Sequence, residues 1–437
     1  MDKIWVGNFR CFREKQDVPL KPLTLLVGEN STGKTSFLAM INVLMDQKTR
    51  QNGVPNFKEP YDLGSFDEIA HYRGGRGGRA DYFIGGCELR SAGKENTPYS
   101  FEYTFKKNAG APFISKTRSE RKGVWMEAEY DPLTESPAFP FPVSVLLGSS
   151  RGAWEWKVQA SDGKIDIGII PLEGSPEADN DEKAGFEELA ALSPPEIMFF
   201  FAERALFPRV VAPAPVRSNP KRTYDLTPLI PDHEGSYIPS LFAHLSAQET
   251  DPWKRLKEKL EAFGKESGLF DEIDVKRPFR KNETGPFQIL VRKAGGKIKG
   301  PWRNLQDVGY GVSQILPTAT ELFFRSDPAL HLLQQPETHL HPSAQAALGS
   351  QLCRTASEGK QLIVETHSDY LMDRVRMDVR DQKTDLTPED VIVLFFERDG
   401  LDVRIWPIRF DELGNVKDAP NSYRRFFMSE VNRSIGL

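Results

Sequence analysis

The chain has 437 residues, 39% of them hydrophobic and 27% charged, with a formal net charge of −5. That length holds two or three ordinary domains with ample core, and that charge excludes a global basic field, so nucleic acid would have to be met by local patches. No apolar run approaches the ~20 residues that span a bilayer. No basic-then-apolar segment opens the chain, and Cys11, Cys87 and Cys353 lie far apart in no metal-ligand spacing, so the expectation is a cytoplasmic protein with reduced thiols and no membrane partner.

At the N-terminus, residues 3–6 and 18–20 predict two short strands flanking a turn at 8–12. Residues 23–27, Leu-Thr-Leu-Leu-Val, predict a buried strand, and residues 36–41 a helix. Between them stands Gly28-Glu29-Asn30-Ser31-Thr32-Gly33-Lys34-Thr35, the strand, glycine-rich loop and helix of a phosphate-binding P-loop. Gly28 and Gly33 permit the tight turn that aims successive N–H groups at phosphate oxygens. The helix presents its positive dipole end to the same anion. Lys34 supplies a full charge for the β- and γ-phosphates, and Thr35 a hydroxyl for Mg²⁺. The expected ligand is ATP with Mg²⁺, and the expected contacts are Asn30, Ser31, Thr32, Gly33, Lys34, Thr35 and Ser36.

Residues 48–59 read as turns. From 82 to about 170, short β-like runs such as 101–105 and 154–158 alternate with glycine and proline, predicting a β-rich lobe. Residues 173–185 are acidic and small and predict a mobile loop. A proline- and arginine-rich region follows at 199–231. Residues 252–264 predict a helix with Trp253, Leu256, Leu260 and Phe263 on one face. Residues 287–291 read as a strand, and 329–333, 362–364 and 391–396 as buried strands whose helical spacers imply a parallel α/β core. The domain reading is 1–60 for the P-loop half of the core, 61–198 for the β-rich lobe, 199–300 for an inserted region and 301–437 for the second half of the core. No long heptad repeat lies between the P-loop and residue 300, and only about 70 residues follow His367, too few for an appended nuclease domain.

Four later segments fit one pattern. Residues 307–317, Asp-Val-Gly-Tyr-Gly-Val-Ser-Gln-Ile-Leu-Pro, resemble the signature motif of ABC-type ATPases. Residues 332–337, ending Gln334-Gln335-Pro336-Glu337, resemble their Walker B strand. Thr338-His339-Leu340-His341-Pro342 resembles the D-loop region of the OLD and RecF-like branch, and Val364-Glu365-Thr366-His367-Ser368 its switch-histidine loop. The resemblance is good over 1–50 and 300–400 and weak between. It implies an α/β fold: an ABC-type P-loop NTPase core with a mixed sheet, a β-rich N-terminal lobe and an inserted helical or irregular region. It also implies a homo-oligomer, dimer or higher, that sandwiches ATP, with Gly311 and Ser313 reaching a neighbour's nucleotide and His367 contacting the γ-phosphate. His339 and His341 lack a third ligand of suitable spacing and read as turn or interface packing.

One departure matters. The Walker B strand of the family ends in two acids, one for the metal's water and one for the attacking water; this chain has Gln334 and Gln335. A glutamine can hydrogen-bond water but cannot accept its proton at neutral pH. Relatives often carry Glu-Gln-Pro-Glu, which leaves Gln334 as the unusual residue. Gln334, Gln335, Glu337 and His367 make up the expected catalytic set, and Thr35 and Gln334 the metal set, with tight ATP binding and slow or absent hydrolysis.

Three basic stretches, Arg73 to Arg79, Arg217 to Tyr224, and Arg277 with Arg280 and Lys281, read either as nucleic-acid phosphate contacts or as solvated surface and intersubunit salt bridges. Members of the branch recur in anti-phage systems such as Septu and PARIS. The leading expectation is therefore a sensor ATPase that controls a separately encoded effector, a nuclease; the alternative is a RecF-like repair or chromosome-maintenance ATPase that clamps DNA.

Overall fold

The computed structural model describes residues 1–52, 54–75, 77–90, 98–121, 124–130, 142–149, 152–161, 164–171, 207–247, 251–277, 285–295, 298–324 and 329–423. The acidic stretch 173–185 lies outside the described residues, as do Arg76, Arg280 and Lys281.

Strands β1 (Lys3–Gly7) and β2 (Gln16–Pro19) pair antiparallel around the turn at 8–12. β3 (Leu23–Gly28) is buried along its whole length, as an unbroken apolar run demands. α1 (Lys34–Met45) follows the glycine-rich loop. α2 (Gln47–Asn52) replaces the first part of the stretch that reads as turns. Asp46 starts it: its Oδ2 accepts from the Thr49 N–H and hydroxyl at 2.8 and 3.0 Å, a cap that the polar composition hides. α3 (Phe66–Ile69) is a single turn.

The β-rich stretch forms β4 (Tyr82–Arg90), β5 (Pro98–Asn108), β6 (Ala111–Arg121), β7 (Val124–Tyr130), β8 (Pro142–Ser149), β9 (Gly152–Ser161) and β10 (Lys164–Pro171). Each pairs antiparallel with the next, and β4 pairs with β1, giving a nine-stranded sheet in the order β10-β9-β8-β7-β6-β5-β4-β1-β2. The runs at 101–105 and 154–158 fall in β5 and β9.

Further on come β11 (Arg209–Val211), α4 (Ile238–Ala247) and α5 (Asp251–Ser267), the last burying Trp253, Leu256, Leu260 and Phe263 as its spacing predicts. Short antiparallel pieces follow: β12 (Glu272–Lys276), β13 (Gln288–Arg292), β14 (Ala294–Gly295), β15 (Ile298–Lys299) and β16 (Arg303–Asn304). The last part holds α6 (Tyr310–Phe324), β17 (Ala329–Gln334), α7 (Pro342–Ser357), β18 (Gln361–Glu365), α8 (Asp369–Arg380), β19 (Val391–Asp399), β20 (Asp402–Phe410) and β21 (Val416–Lys417). They build a seven-stranded sheet, β11-β17-β18-β3-β19-β20-β21. β17, β18, β3 and β19 run parallel, and β20 and β21 pair antiparallel. The fold is α/β with a mixed sheet.

The chain forms two compact units, Met1–Leu20 with Ser31–Arg209 and Glu397–Ile405, and Lys21–Asn30 with Val210–Phe396 and Trp406–Leu437. The first has an aromatic core in which Phe83 and Phe105 stack at 4.8 Å beside Phe9, Phe57 and Phe66. In the second, the apolar strands β3, β17, β18 and β19 are covered by residues of α4 to α8 in one continuous core.

Within that second unit, the end of β3 has no room for a side chain. Gly28 has φ +143°, and a Cβ there would stand 2.5 Å from the Phe396 carbonyl oxygen. Gly28→Ala is expected to cost about 1–3 kcal/mol of stability, read as a lower urea midpoint with unchanged slope.

Candidate functional site

The phosphate-loop geometry follows from its sequence. Ser31 and Gly33 adopt left-handed φ of +61° and +86°, which turns successive N–H groups to one side. Gly33 also sits hard against its own unit: a Cβ would lie 2.4 Å from Cys11 Sγ and 3.0 Å from Phe12 Cζ. Burial pushes the Cys11 thiol up to about 11, so it serves as packing beneath the loop. α1 begins with the Phe37 N–H donating to the Gly33 carbonyl at 2.9 Å, and no acid occupies its first turn to offset the dipole. Lys34 is 3% exposed, and its Nζ reaches Thr32 Oγ1 at 3.5 Å. Asn30 and Ser31 are exposed, Thr35 and Ser36 half-buried, and Thr32 buried.

In the second unit, the parallel register brings Gln334 beside Glu365 and Glu365 beside Leu26 at the carboxyl edge of the sheet, where ligands of open α/β folds bind. Gln334 and Gln335 are half-buried; Gln335 has φ +41°, and its N–H donates to the Glu365 carbonyl at 2.8 Å. The turn after β17 takes Glu337 into the interior. Its Oε1 accepts from the Thr366 hydroxyl at 2.7 Å and from the His367 N–H at 2.8 Å, so it fastens the loop that carries His367. Burial pushes the Glu337 carboxyl up, while those two bonds and the charge of Arg217 pull it back. The His367 ring is exposed above this loop, and Ser368 caps α8 by accepting from the Leu371 N–H at 3.0 Å. Glu365, 4% exposed, is the carboxylate that sequence reasoning passed over. Its signal was an acid at the end of an apolar strand, and only the register places it next to Gln334.

The signature segment opens α6 at Tyr310. Gly311 is required there, because a Cβ would stand 2.7 Å from the His339 carbonyl oxygen. Ser313 is 5% exposed, and its hydroxyl donates to the Tyr310 carbonyl at 2.9 Å. His339 has φ +68° and meets the Tyr310 ring edge-on at 4.9 Å; His341 caps α7, with Nδ1 accepting from the Ser343 N–H at 3.4 Å. The two histidines are turn residues, and no group of three or more metal-ligating side chains exists among the described residues.

The basic stretches are largely engaged by the chain itself. Arg73 donates to Asn8 Oδ1 and Arg79 to the Ala70 carbonyl, each at 3.0 Å, and Arg277 donates to the Ala243 carbonyl at 2.7 Å. Arg222 pairs with Asp307, and Arg217 is 2% exposed, which withdraws it from any phosphate-binding surface. Among the described residues, no helix is long and apolar enough to cross a membrane.

Residues 1–171 match the family described as "AAA ATPase domain", and residues 291–373 the family described as "AAA domain, putative AbiEii toxin, Type IV TA system". An OLD nuclease of Thermus scotoductus is 31% identical over 103 residues, which take in 19% of this chain and 19% of that protein. Among solved structures, a Smc head bound to the C-winged helix domain of ScpA has 11% identity and a TM-score of 0.46, covering 94% of this chain and 98% of that one. The SMC head domain of Thermotoga maritima has 13% identity and a TM-score of 0.37, with coverage of 93% and 98%. The two segments that carry the motifs are thus similar to AAA-type ATPase domains, and the match to the OLD nuclease spans about a fifth of that protein.

Proposed function

We propose that the chain is a regulatory ATPase that sandwiches ATP–Mg²⁺ between subunits and, in that state, controls a separately encoded effector, a nuclease of an anti-phage defence complex. The observation that carries the nucleotide reading is the phosphate loop: Gly28, Ser31 and Gly33 at positive φ, with Lys34 at the start of a helix that has no acid in its first turn. Each unit offers oxygen donors of the kind a hard cation takes: the Thr35 hydroxyl in the first, and the Gln334 amide oxygen and the Glu365 carboxylate in the second. When bound, Mg²⁺ neutralises phosphate charge. Lys34 and the loop N–H groups bind and orient the phosphates, Glu365 supplies the negative charge that Gln334 lacks, and His367 addresses the γ-phosphate.

Calorimetric titration with ATP and sedimentation with and without it test the reading; no binding, or binding without association, overturns it. Ser313→Arg is expected to abolish ATP-dependent association while leaving ATP affinity within ~3-fold, because the signature segment serves the neighbour's site. The melting curve of the variant must match the parent, since Ser313 is buried. Purification together with the product of an adjacent gene tests the effector. Hydrolysis that needs DNA and no second protein would favour the chromosome-maintenance role instead.

A further inference from the structure

Consecutive carbonyls of the phosphate loop are each held by another part of the chain. The Ser31 carbonyl accepts from Arg398 Nη2, the Thr32 carbonyl faces the Cys11 thiol at 3.7 Å, and the Gly33 carbonyl accepts the Phe37 N–H at 2.9 Å. A trans peptide points its N–H away from its C=O. Each grip on a carbonyl therefore fixes the direction of the next residue's N–H. Those are the N–H groups of Thr32, Gly33 and Lys34, the ones an anion in the loop would meet.

The grip on Ser31 differs from the other two. The Gly33 carbonyl is held by the first turn of α1, and Cys11 is packed against Gly33 itself. Ser31 is exposed and stands at φ +61°, a left-handed backbone that serine keeps only when its surroundings hold it there. The donor that holds it comes from 367 positions away. Arg398 is the last residue but one of β19 and lies in Glu397–Ile405, the piece of β19 and β20 that belongs to the first unit together with Ser31. That piece is itself tied down nearby. The Val403 N–H donates to the Cys11 carbonyl at 2.8 Å, and Asp402 Oδ1 stands 3.2 Å from Nε2 of the buried His71. A guanidinium suits the place, because it is always charged and a charged donor makes the stronger bond to a carbonyl.

We propose that Arg398 is a positioning residue of the phosphate loop: by gripping the Ser31 carbonyl from outside, it holds Ser31 left-handed and presets the Thr32 N–H for an anion. Its effect on ATP rests on the nucleotide reading above; its effect on the loop does not.

The first readout is hydrogen exchange at residues 32–34 in the whole chain without nucleotide. Thr32 and Lys34 are 1% and 3% exposed, so exchange there needs the loop to open. Arg398→Met removes the donor, and Arg398→Lys keeps one. Because Arg398 is exposed, both variants should melt with the parent. Arg398→Met is expected to speed exchange at 32–34 by at least ~5-fold while the amides of β1 and β4 keep their protection, and Arg398→Lys by less than ~2-fold. Unchanged exchange in Arg398→Met, equal acceleration in the two variants, or acceleration that extends through β1 and β4 would overturn the proposal. The second readout is ATP affinity by calorimetry at low and at high salt. Arg398→Met is expected to weaken binding by ~5–10-fold at both, since what is lost is the prepared shape of the loop. A direct attraction between Arg398 and phosphate would fade as salt screens it. A deficit that vanishes at high salt would thus make Arg398 a phosphate contact and overturn the positioning role. Faster exchange in Arg398→Met, with a parent chain that binds no ATP, would end the nucleotide reading and leave the role of Arg398 in the loop standing.

Discussion

Lys34→Ala is expected to weaken ATP binding by at least ~100-fold, because hydrogen bonds to a charged group are worth ~1.5–3 kcal/mol each and Lys34 would make more than one. It is the one full positive charge within the glycine-rich loop, residues 28–35. The Lys34 side chain is 3% exposed, so its position is already prepared before any ligand arrives, and little ordering entropy opposes its contact with phosphate. The loop itself should persist in the variant. Its shape is set by Gly28 against Phe396, by Gly33 against Cys11 and Phe12, and by the Gly33 carbonyl that starts α1. Calorimetry on the variant, with a melting curve beside it, separates the two effects. Normal affinity in a folded variant would end the phosphate-loop assignment.

Gln334→Glu is expected to raise ATP hydrolysis at least ~10-fold, at the low end of what a positioned acid or base contributes. Gln334 closes β17 at the carboxyl edge of the sheet and stands in register with Glu365. A carboxylate there would hold metal-bound water by charge-assisted bonds about twice as strong as those an amide makes. Binding should change far less than turnover, since Lys34 and the loop N–H groups account for most of it. Phosphate release measured side by side decides the matter. Equal and brisk rates would move the chemistry to another carboxylate. Glu337 is poorly placed for that, because its Oε1 is committed to Thr366 and His367. Glu365 would then be the residue to replace next.

The local elements were legible because each carries its signal within a few residues. An apolar run, a glycine pair and a lysine at fixed spacing define the phosphate loop whatever lies elsewhere, and the i, i+3, i+7, i+10 pattern of Trp253, Leu256, Leu260 and Phe263 defines α5. The strands β17, β18 and β19 announce themselves by burial on both faces. α2 was missed for a local reason too, since one side-chain cap at Asp46 outweighs a polar composition.

What the sequence left open were the facts that join distant residues. Register sets Glu365 beside Gln334, though 31 positions part them, and no pattern in one strand reveals its neighbour's phase. The turn after Gln335 carries Glu337 inward to fasten His367, a use of that acid which only the folded chain displays. Arg217 reads as a basic surface residue by composition and is instead buried. The sequence alone thus determined the glycine-rich loop with its lysine and the strands around it. Tertiary structure decided which charges face one another, because burial and register arise from contacts among segments far apart in the chain, and those contacts leave no mark on local spacing.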